Sequence, residues 1–173
     1  MQSSAPLRAA GWVKRLTIHV EPPLSPDARA LLAESTADLG RALPADEIFT
    51  LAPEDLVAPN ITFFVARLEN QVVGCVALVD MTTYGEVKRL FVRDTFRNQG
   101  VAQALMAVAE QFCRDVGLLE VKLESSPALH GAHKLYEATG YRTCAPFGDY
   151  PVLDSSLFMA KDLAKDLGRV ICA

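Results

Sequence analysis

The chain has 173 residues, half of them hydrophobic, with 17 basic and 21 acidic side chains and a net charge of -4. A chain of this length can form one domain with its own core, without disulfides or structural metals. Its acidic balance disfavours nucleic acid as a partner, and the absence of a long apolar run or a secretory signal predicts a cytoplasmic protein that spans no membrane.

The first predicted elements are a strand and a helix. Alternating apolar and polar residues predict a strand at residues 13–20, which two prolines end. Ser25 can cap the following helix and Pro26 suits its first position, and apolar residues recur along one side to Arg41. The acidic, proline-rich segment 44–59 is irregular, and we expect it to be a loop beside a substrate.

Three strands and a long helix come next. Apolar runs at 61–68 and 72–79 flank a short polar turn, as in a hairpin, and a third strand at 86–92 completes an antiparallel meander. From Arg97 the apolar residues follow a helical period, and Gly117 is a typical stop signal.

Shorter elements fill the remainder of the chain. The pattern predicts a strand at 119–123, a helix at 130–139 that ends at Gly140, a strand at 141–145 and a last strand at 155–160. No repeat or linker divides the sequence, so we expect one domain.

The predicted domain covers residues 13–163, between an N-terminal extension at 1–12 and a C-terminal tail at 164–173. Apolar residues of the tail could pack on the domain or on a second subunit, which leaves a homodimer open. The four cysteines form no CxxC pair, and two neighbouring histidines without further ligands make a poor zinc site. We therefore predict no metal.

A pattern R-x-x-G-x-A opens the long helix, at Arg97, Gly100 and Ala102. The first N–H groups of a helix lack partners and lie at the positive end of its dipole, so this turn suits an anion such as a pyrophosphate. A glycine in such a turn also has a purely steric explanation, and both interpretations stay open.

A second motif, L-Y-E-A-T-G-Y at residues 135–141, follows one strand and helix later. The two motifs in this order resemble the GNAT superfamily of acetyl-CoA-dependent N-acetyltransferases, and the resemblance extends over residues 16–163. The segments G-E-V-K-R at 85–89 and P-F-G-D-Y at 146–150 are similar to a bacterial subgroup of that family.

The resemblance implies an α/β (α+β) fold with a mixed, mostly antiparallel, splayed sheet of about six to seven strands, flanked by helices on both faces. It also implies acetyl-CoA as acyl donor, its pyrophosphate on the backbone of 97–102 and its pantetheine arm on 90–92. The implied cofactor-binding residues are Leu90, Phe91, Val92, Arg97, Asn98, Gln99, Gly100, Val101, Ala102 and Lys134. Lys134 stands where the subgroup often has arginine, and Leu129 stands where many relatives have asparagine.

The reaction needs a base and an acid, because an amine attacks a thioester only in its neutral form and the leaving thiolate needs a proton. Glu86 is the predicted base, four residues before the pantetheine segment, although a solvated glutamate at a strand end is the alternative. Tyr136 is the predicted acid, although it could be a core tyrosine. No Cys or Ser in these motifs adjoins a recognisable base, so transfer should be direct.

The predicted acceptor-binding residues are Glu124, Tyr84, Asp149 and Tyr150. Glu124 could equally be a surface carboxylate, and Tyr84 could equally pack beside its strand. Asp149 and Tyr150 could simply form the turn before the last strand. The favoured function is N-acetylation of a small-molecule amine or amino acid in a ternary complex. Acetylation of a protein N-terminus or lysine, and a non-enzymatic acyl-CoA-binding module, are the alternatives.

Overall fold

The computed structural model of the protein describes residues 16–151 and 153–165. In this part the chain forms seven strands and three helices. The strands are β1 Leu16–Val20, β2 Ile61–Leu68, β3 Gln71–Asp80, β4 Gly85–Val92, β5 Glu120–Ser125, β6 Arg142–Thr143 and β7 Leu157–Asp162. The helices are α1 Pro26–Ala42, α2 Val101–Asp115 and α3 His130–Ala138. None of these helices is long and apolar enough to cross a bilayer.

The start of α1 follows the sequence signals. The Ser25 side chain accepts a hydrogen bond from the Ala28 amide at 3.2 Å, and Pro26 occupies the first turn, where its missing N–H costs nothing. Ala28, Leu31 and Leu32 are buried against the sheet.

The strands form one sheet in the order β1-β2-β3-β4-β5-β7-β6. All neighbouring pairs are antiparallel except β4 and β5, which run parallel. This parallel pair is joined only at Gly85 with Val121 and at Glu86 with Lys122. Because no later residue of β4 pairs with β5, a cleft can open between the two strands.

Two apolar layers cover the sheet. On one face, α2 buries Leu105, Met106 and Ala109 against strand residues, and on the other face α1 packs over Phe63 and Val65. The predicted fold class, a mostly antiparallel splayed sheet with helices on both faces, is confirmed.

Several element boundaries differ from the sequence prediction. The second helix begins at Val101 rather than Arg97, because Arg97 is extended and Asn98 has a positive φ of 58°. The strand expected at 141–145 has only two residues, and the last strand runs to Asp162 rather than 160. Leu163, directly after this strand, is fully buried and belongs to the core.

Two predicted parts of the chain lie outside the described residues. They are the extension at 1–12 with the first three residues of the first strand, and the tail from residue 166 onward. The domain boundaries and the homodimer stay predictions.

Candidate active site

A cleft of about 900 Å³ lies between α1, β4, the start of α2, the end of β5 and the start of α3. Its walls include β4 from Val87 to Val92 and, after this strand, residues 96–98 and 100–103. The opposite side holds Glu124, Ser125 and Tyr136. The cleft therefore opens where β4 and β5 stop pairing.

A β-bulge at Arg89 shapes the β4 wall of the cleft. Arg89 has a positive φ of 55°, and the register between β3 and β4 shifts there by one residue. The Arg93 amide donates to the Val73 carbonyl at 2.9 Å. Alternation along β4 therefore directs the Phe91 backbone to β3 and the backbone groups of Leu90 and Val92 to the unpaired edge, where an extended ligand arm could add as a strand.

The turn before α2 has the geometry of an anion site. Asn98 and Gly100 have positive φ values of 58° and 82°, and no side chain caps the helix that starts at Val101. The first N–H groups of α2 are therefore available to a ligand. A Cβ at Gly100 would meet no protein atom within 4 Å, so backbone conformation, and not crowding by the protein, requires glycine here.

Arg97 holds this turn against α1. Its guanidinium pairs with Asp38 at 2.7 Å and with Asp94 at 2.8 Å, and its Nε donates to the Val92 carbonyl at 3.0 Å. Burial alone would raise the pKa of Asp38, but the hydrogen bonds and charges of Arg97 and Arg41 lower it below its ordinary value. These protein contacts partly neutralise the positive charge of Arg97, a residue that the family resemblance assigns to cofactor binding.

Tyr136 and Glu124 both line the cleft. Tyr136 lies on α3 and is 7% exposed; its burial, and then the charge of Glu124, raise the pKa of its phenol well above the ordinary value. Burial also raises the pKa of Glu124, against a hydrogen bond with Ser156 and the charge of Lys88, which lower it. A protonated phenol and a poorly solvated carboxyl thus share one cavity.

Glu86 is buried but is not among the residues that line the cleft. Its carboxylate accepts a hydrogen bond from the Tyr150 hydroxyl and pairs with Lys88 at 2.9 Å. Strict alternation along β4 would place Glu86 on the same face as Leu90, at the start of the pantetheine segment. The bulge at Arg89 breaks that alternation, so Leu90 packs with the α2 core while Glu86 shares the other face with Lys88.

An aromatic cluster lies beside Glu86, formed by Phe49, Tyr84, Phe147, Tyr150 and Phe158. Its ring pairs are T-shaped, with the edge of one ring against the face of the other and centroids 5.4 to 6.1 Å apart. The Lys88 ammonium lies 4.3 Å from the centroid of the Tyr150 ring, and the Lys122 ammonium lies 4.6 Å from that of the Tyr84 ring. Of the predicted acceptor residues, Tyr84 and Tyr150 thus belong to one cluster, whereas Asp149 is exposed.

The cleft contains most of the residues singled out in the sequence, namely Leu90, Phe91, Val92, Arg97, Asn98, Gly100, Val101, Ala102, Glu124 and Tyr136. Gln99 and Lys134 are not among its lining residues; Gln99 donates to the Thr95 carbonyl, and Lys134 is exposed on α3. Their roles, like those of the other site residues, stay predictions.

Sequence reasoning missed the α1 side of the cleft. Ser35, Leu39, Phe49 and Arg89 line it, and only the irregular composition of 44–59 had indicated a substrate-side segment. In the described part of the chain, no group of three or more His, Cys, Asp or Glu residues could hold a metal ion.

Comparison with known proteins agrees with this geometry. The sequence profile of the Acetyltransferase (GNAT) family matches residues 25–141. The IAA acetyltransferase of Azospirillum brasilense is 37% identical over 150 residues, which are 86% of this chain and 98% of that protein. The uncharacterized N-acetyltransferase YsnE of Bacillus subtilis is 33% identical over 123 residues, 69% of this chain and 82% of that protein.

A solved structure shares the fold. The GNAT family acetyltransferase from Elizabethkingia anophelis, with acetyl-CoA bound, superposes with a TM-score of 0.62 at 17% sequence identity. The superposition covers 87% of this chain and 99% of that one.

Proposed function

Because this chain belongs to the GNAT family of acetyltransferases, we propose that it transfers acetyl directly from acetyl-CoA to the primary amine of a small molecule or amino acid. Acetyl-CoA is the acyl donor and the activity is that of an acyl-CoA-dependent N-acetyltransferase.

One observation carries the choice of a small acceptor. Phe49, from the irregular segment after α1, meets Tyr150, from the segment after β6, with ring centroids 6.1 Å apart. Lys88, which lines the cleft, has its ammonium group 4.3 Å from the centroid of the same Tyr150 ring. Because the segment after α1 and the segment after β6 touch each other here, less room is left for a polypeptide than in an open groove. This contact favours a small amine over a protein substrate.

The donor would lie along β4 with its pyrophosphate on α2. The amides at the start of α2 supply hydrogen bonds and the positive end of the helix dipole. The backbone groups of Leu90 and the N–H of Val92 at the unpaired edge would hold the pantetheine amides, since the Val92 carbonyl already accepts from Arg97. A β4 N–H that donates a hydrogen bond to the thioester carbonyl would stabilise the negative charge that develops on this oxygen during attack.

Glu124 is the residue that we propose as proton acceptor. The amine nitrogen attacks the thioester carbon and loses a proton to Glu124, and the carbon–sulfur bond breaks. Burial raises the pKa of Glu124, which makes it a better base than an exposed glutamate. Glu86, whose carboxylate contacts Lys88 and Tyr150, would fix the positions of these two residues at the acceptor end of the cleft. A direct role of Glu86 as the base is the competing prediction.

Tyr136 would donate a hydrogen bond and then its proton to the departing sulfur. The raised pKa keeps the phenol protonated at neutral pH but makes complete proton transfer less favourable. We therefore expect Tyr136→Phe to lower kcat by about 10²-fold, the smaller end of general-acid effects, with little change in KM.

Thiol-release kinetics test this prediction, with Tyr141→Phe as the matched control. The Tyr141 ring lies 5.9 Å from the Tyr136 ring, so both variants lose one hydroxyl from the same buried pair. Equal turnover of Tyr136→Phe and the parent would remove the phenol from the mechanism.

A panel of amines tests the acceptor class, with free CoA measured as the product. The panel contains amino acids, polyamines, an aminoglycoside and a lysine-containing peptide. We expect at least one small amine to be acetylated and the peptide to be inert. Turnover of the peptide alone would show that the protein is a peptide or protein acetyltransferase.

A further inference from the structure

Arg89 is a buried cation on the α1 side of the cleft. The bulge turns its side chain toward α1, where Nη2 donates to the Leu32 carbonyl at 2.6 Å and to Thr36 Oγ1 at 3.0 Å. Arg89 is 8% exposed and lines the cleft beside Ser35. Arg89 therefore joins β4 to α1 through hydrogen bonds and also forms part of the cleft wall.

The hydrogen-bonding capacity of this guanidinium is only partly used. No carboxylate in the described part of the chain pairs with Arg89, and its buried Nε makes no hydrogen bond. Burial lowers the pKa of Arg89, which reflects the cost of holding this charge away from water. A guanidinium has five N–H donors in a planar fork, and buried charges in proteins normally have an oppositely charged partner.

Arg93, directly after β4, also contacts α1 and shows what a complete set of partners looks like. Arg93 makes a bidentate contact with Glu34 of α1, at 2.8 and 2.7 Å, and also donates to the Val72 carbonyl at 2.6 Å. Arg93 and Arg89 differ in whether a protein carboxylate pairs with the guanidinium. Arg93 has a carboxylate of the protein, whereas Arg89 faces the cleft without one.

We propose that Arg89 binds a carboxylate of the acceptor, so that the second substrate is an amino acid or another amine that carries a carboxylate. This inference rests on the proposed function and narrows its substrate class. The donor is a less suitable source of the anion, because its phosphates belong at the start of α2 and its pantetheine arm is uncharged. An ammonium group near Glu124 and a carboxylate at Arg89 would place opposite charges at both ends of the acceptor.

Matched acceptors test the inference on the unaltered protein. Each pair is an amino acid and its amide, for example phenylalanine with phenylalaninamide and leucine with leucinamide, and the measured quantity is kcat/KM from thiol release. We expect the free carboxylate to raise kcat/KM by roughly ten- to a hundredfold, the effect of a hydrogen bond to a charged group. Equal values, or preference for the amides, would overturn the inference.

A pair of variants assigns the preference to Arg89. Arg89→Lys keeps the charge but loses the fork, and we expect the ratio of kcat/KM between acid and amide to fall about tenfold while the KM for acetyl-CoA is unchanged. Arg93→Lys is the control, since it weakens a similar tie to α1 and should leave the ratio intact. If Arg89→Lys also leaves the ratio intact, Arg89 is only a structural tie and the inference is wrong.

The two levels of the proposal fail differently. If no amine of either kind is acetylated, the proposed function fails. If amines are acetylated with no regard to the carboxylate, the proposed function stands and only the Arg89 subsite is refuted. Because the acid–amide comparison uses the parent protein, it remains decisive even if a variant does not fold.

Discussion

Replacement of Glu124 by glutamine is expected to lower kcat by about 10²- to 10⁴-fold near neutral pH, the range measured for the loss of a general base. Glutamine keeps the size of the side chain but cannot accept a proton from the amine. In the parent, activity rises with pH as Glu124 ionises. Because burial raises its pKa, this rise lies at a higher pH than for an exposed glutamate.

The Glu124→Gln variant should lose activity at neutral pH without losing thermal stability. A carboxyl whose pKa is higher in the folded than in the unfolded state opposes folding above the folded-state pKa, and this opposition disappears below the unfolded-state pKa. Glu124→Gln should therefore match or exceed the parent in Tm at neutral pH and lose any such advantage in acid. Thermal melts across pH check this sign, and a lower Tm at neutral pH would contradict it.

Two further variants make the Glu124 result specific. Glu120→Gln changes the same residue type on the same strand, at a half-exposed position paired with Lys122, and should leave kcat intact. Glu86→Gln separates the two candidate bases. If Glu86→Gln abolishes the acid limb of the kcat profile while Glu124→Gln retains it, Glu86 is the base.

The second large effect is expected at the anion turn. Gly100→Ala adds a methyl group at the anion turn, in space that no protein atom fills within 4 Å. We expect this methyl group to crowd a bound phosphate and to raise the Kd for acetyl-CoA roughly ten- to a hundredfold, as for a lost hydrogen bond to a charged group. In a thermal-shift titration, acetyl-CoA at 100 times Kd should add about 2.7 kcal/mol to the stability of the parent. The variant should show far less stabilisation at the same concentration.

Gly117→Ala is a close control for backbone strain. Gly117 follows α2, has a φ of 86° against 82° at Gly100, and a Cβ there would also meet no atom within 4 Å. Both variants should lose roughly 1–2 kcal/mol of stability through the left-handed conformation. Only Gly100→Ala should bind acetyl-CoA more weakly than the parent, and equal acetyl-CoA affinity in the two variants would exclude the turn as the phosphate site.

The sequence predicted most of the fold because its local signals are strong. Ser25 and Pro26 mark the start of α1, and the apolar period predicts α2, although its start was predicted at Arg97 and lies at Val101. The anion turn was visible for the same reason, since Gly100 stands where a strand meets a helix. Tyr136 was identified through the resemblance of its motif, and it does line the cleft.

The missing parts of the site depend on tertiary structure. No feature of the sequence marks Arg89 as a bulge, yet that bulge decides which β4 side chains face α1. The partners of Glu86 come from Lys88 and from Tyr150, the latter 64 residues away. Such contacts arise only when the sheet has formed, so alternation along a single strand could not reveal them.

Transfer of isotope-labelled acetyl from acetyl-CoA, followed by mass spectrometry of both protein and small molecules, tests the central proposal most directly. The protein is mixed with labelled acetyl-CoA alone and with an added amino acid from the acceptor panel. We predict that the label appears in an amide bond of the amino acid, in step with CoA release, and that the protein alone stays unacetylated. Labelled protein formed without acceptor, or CoA released with no acetylated small molecule, would contradict direct transfer to a small amine.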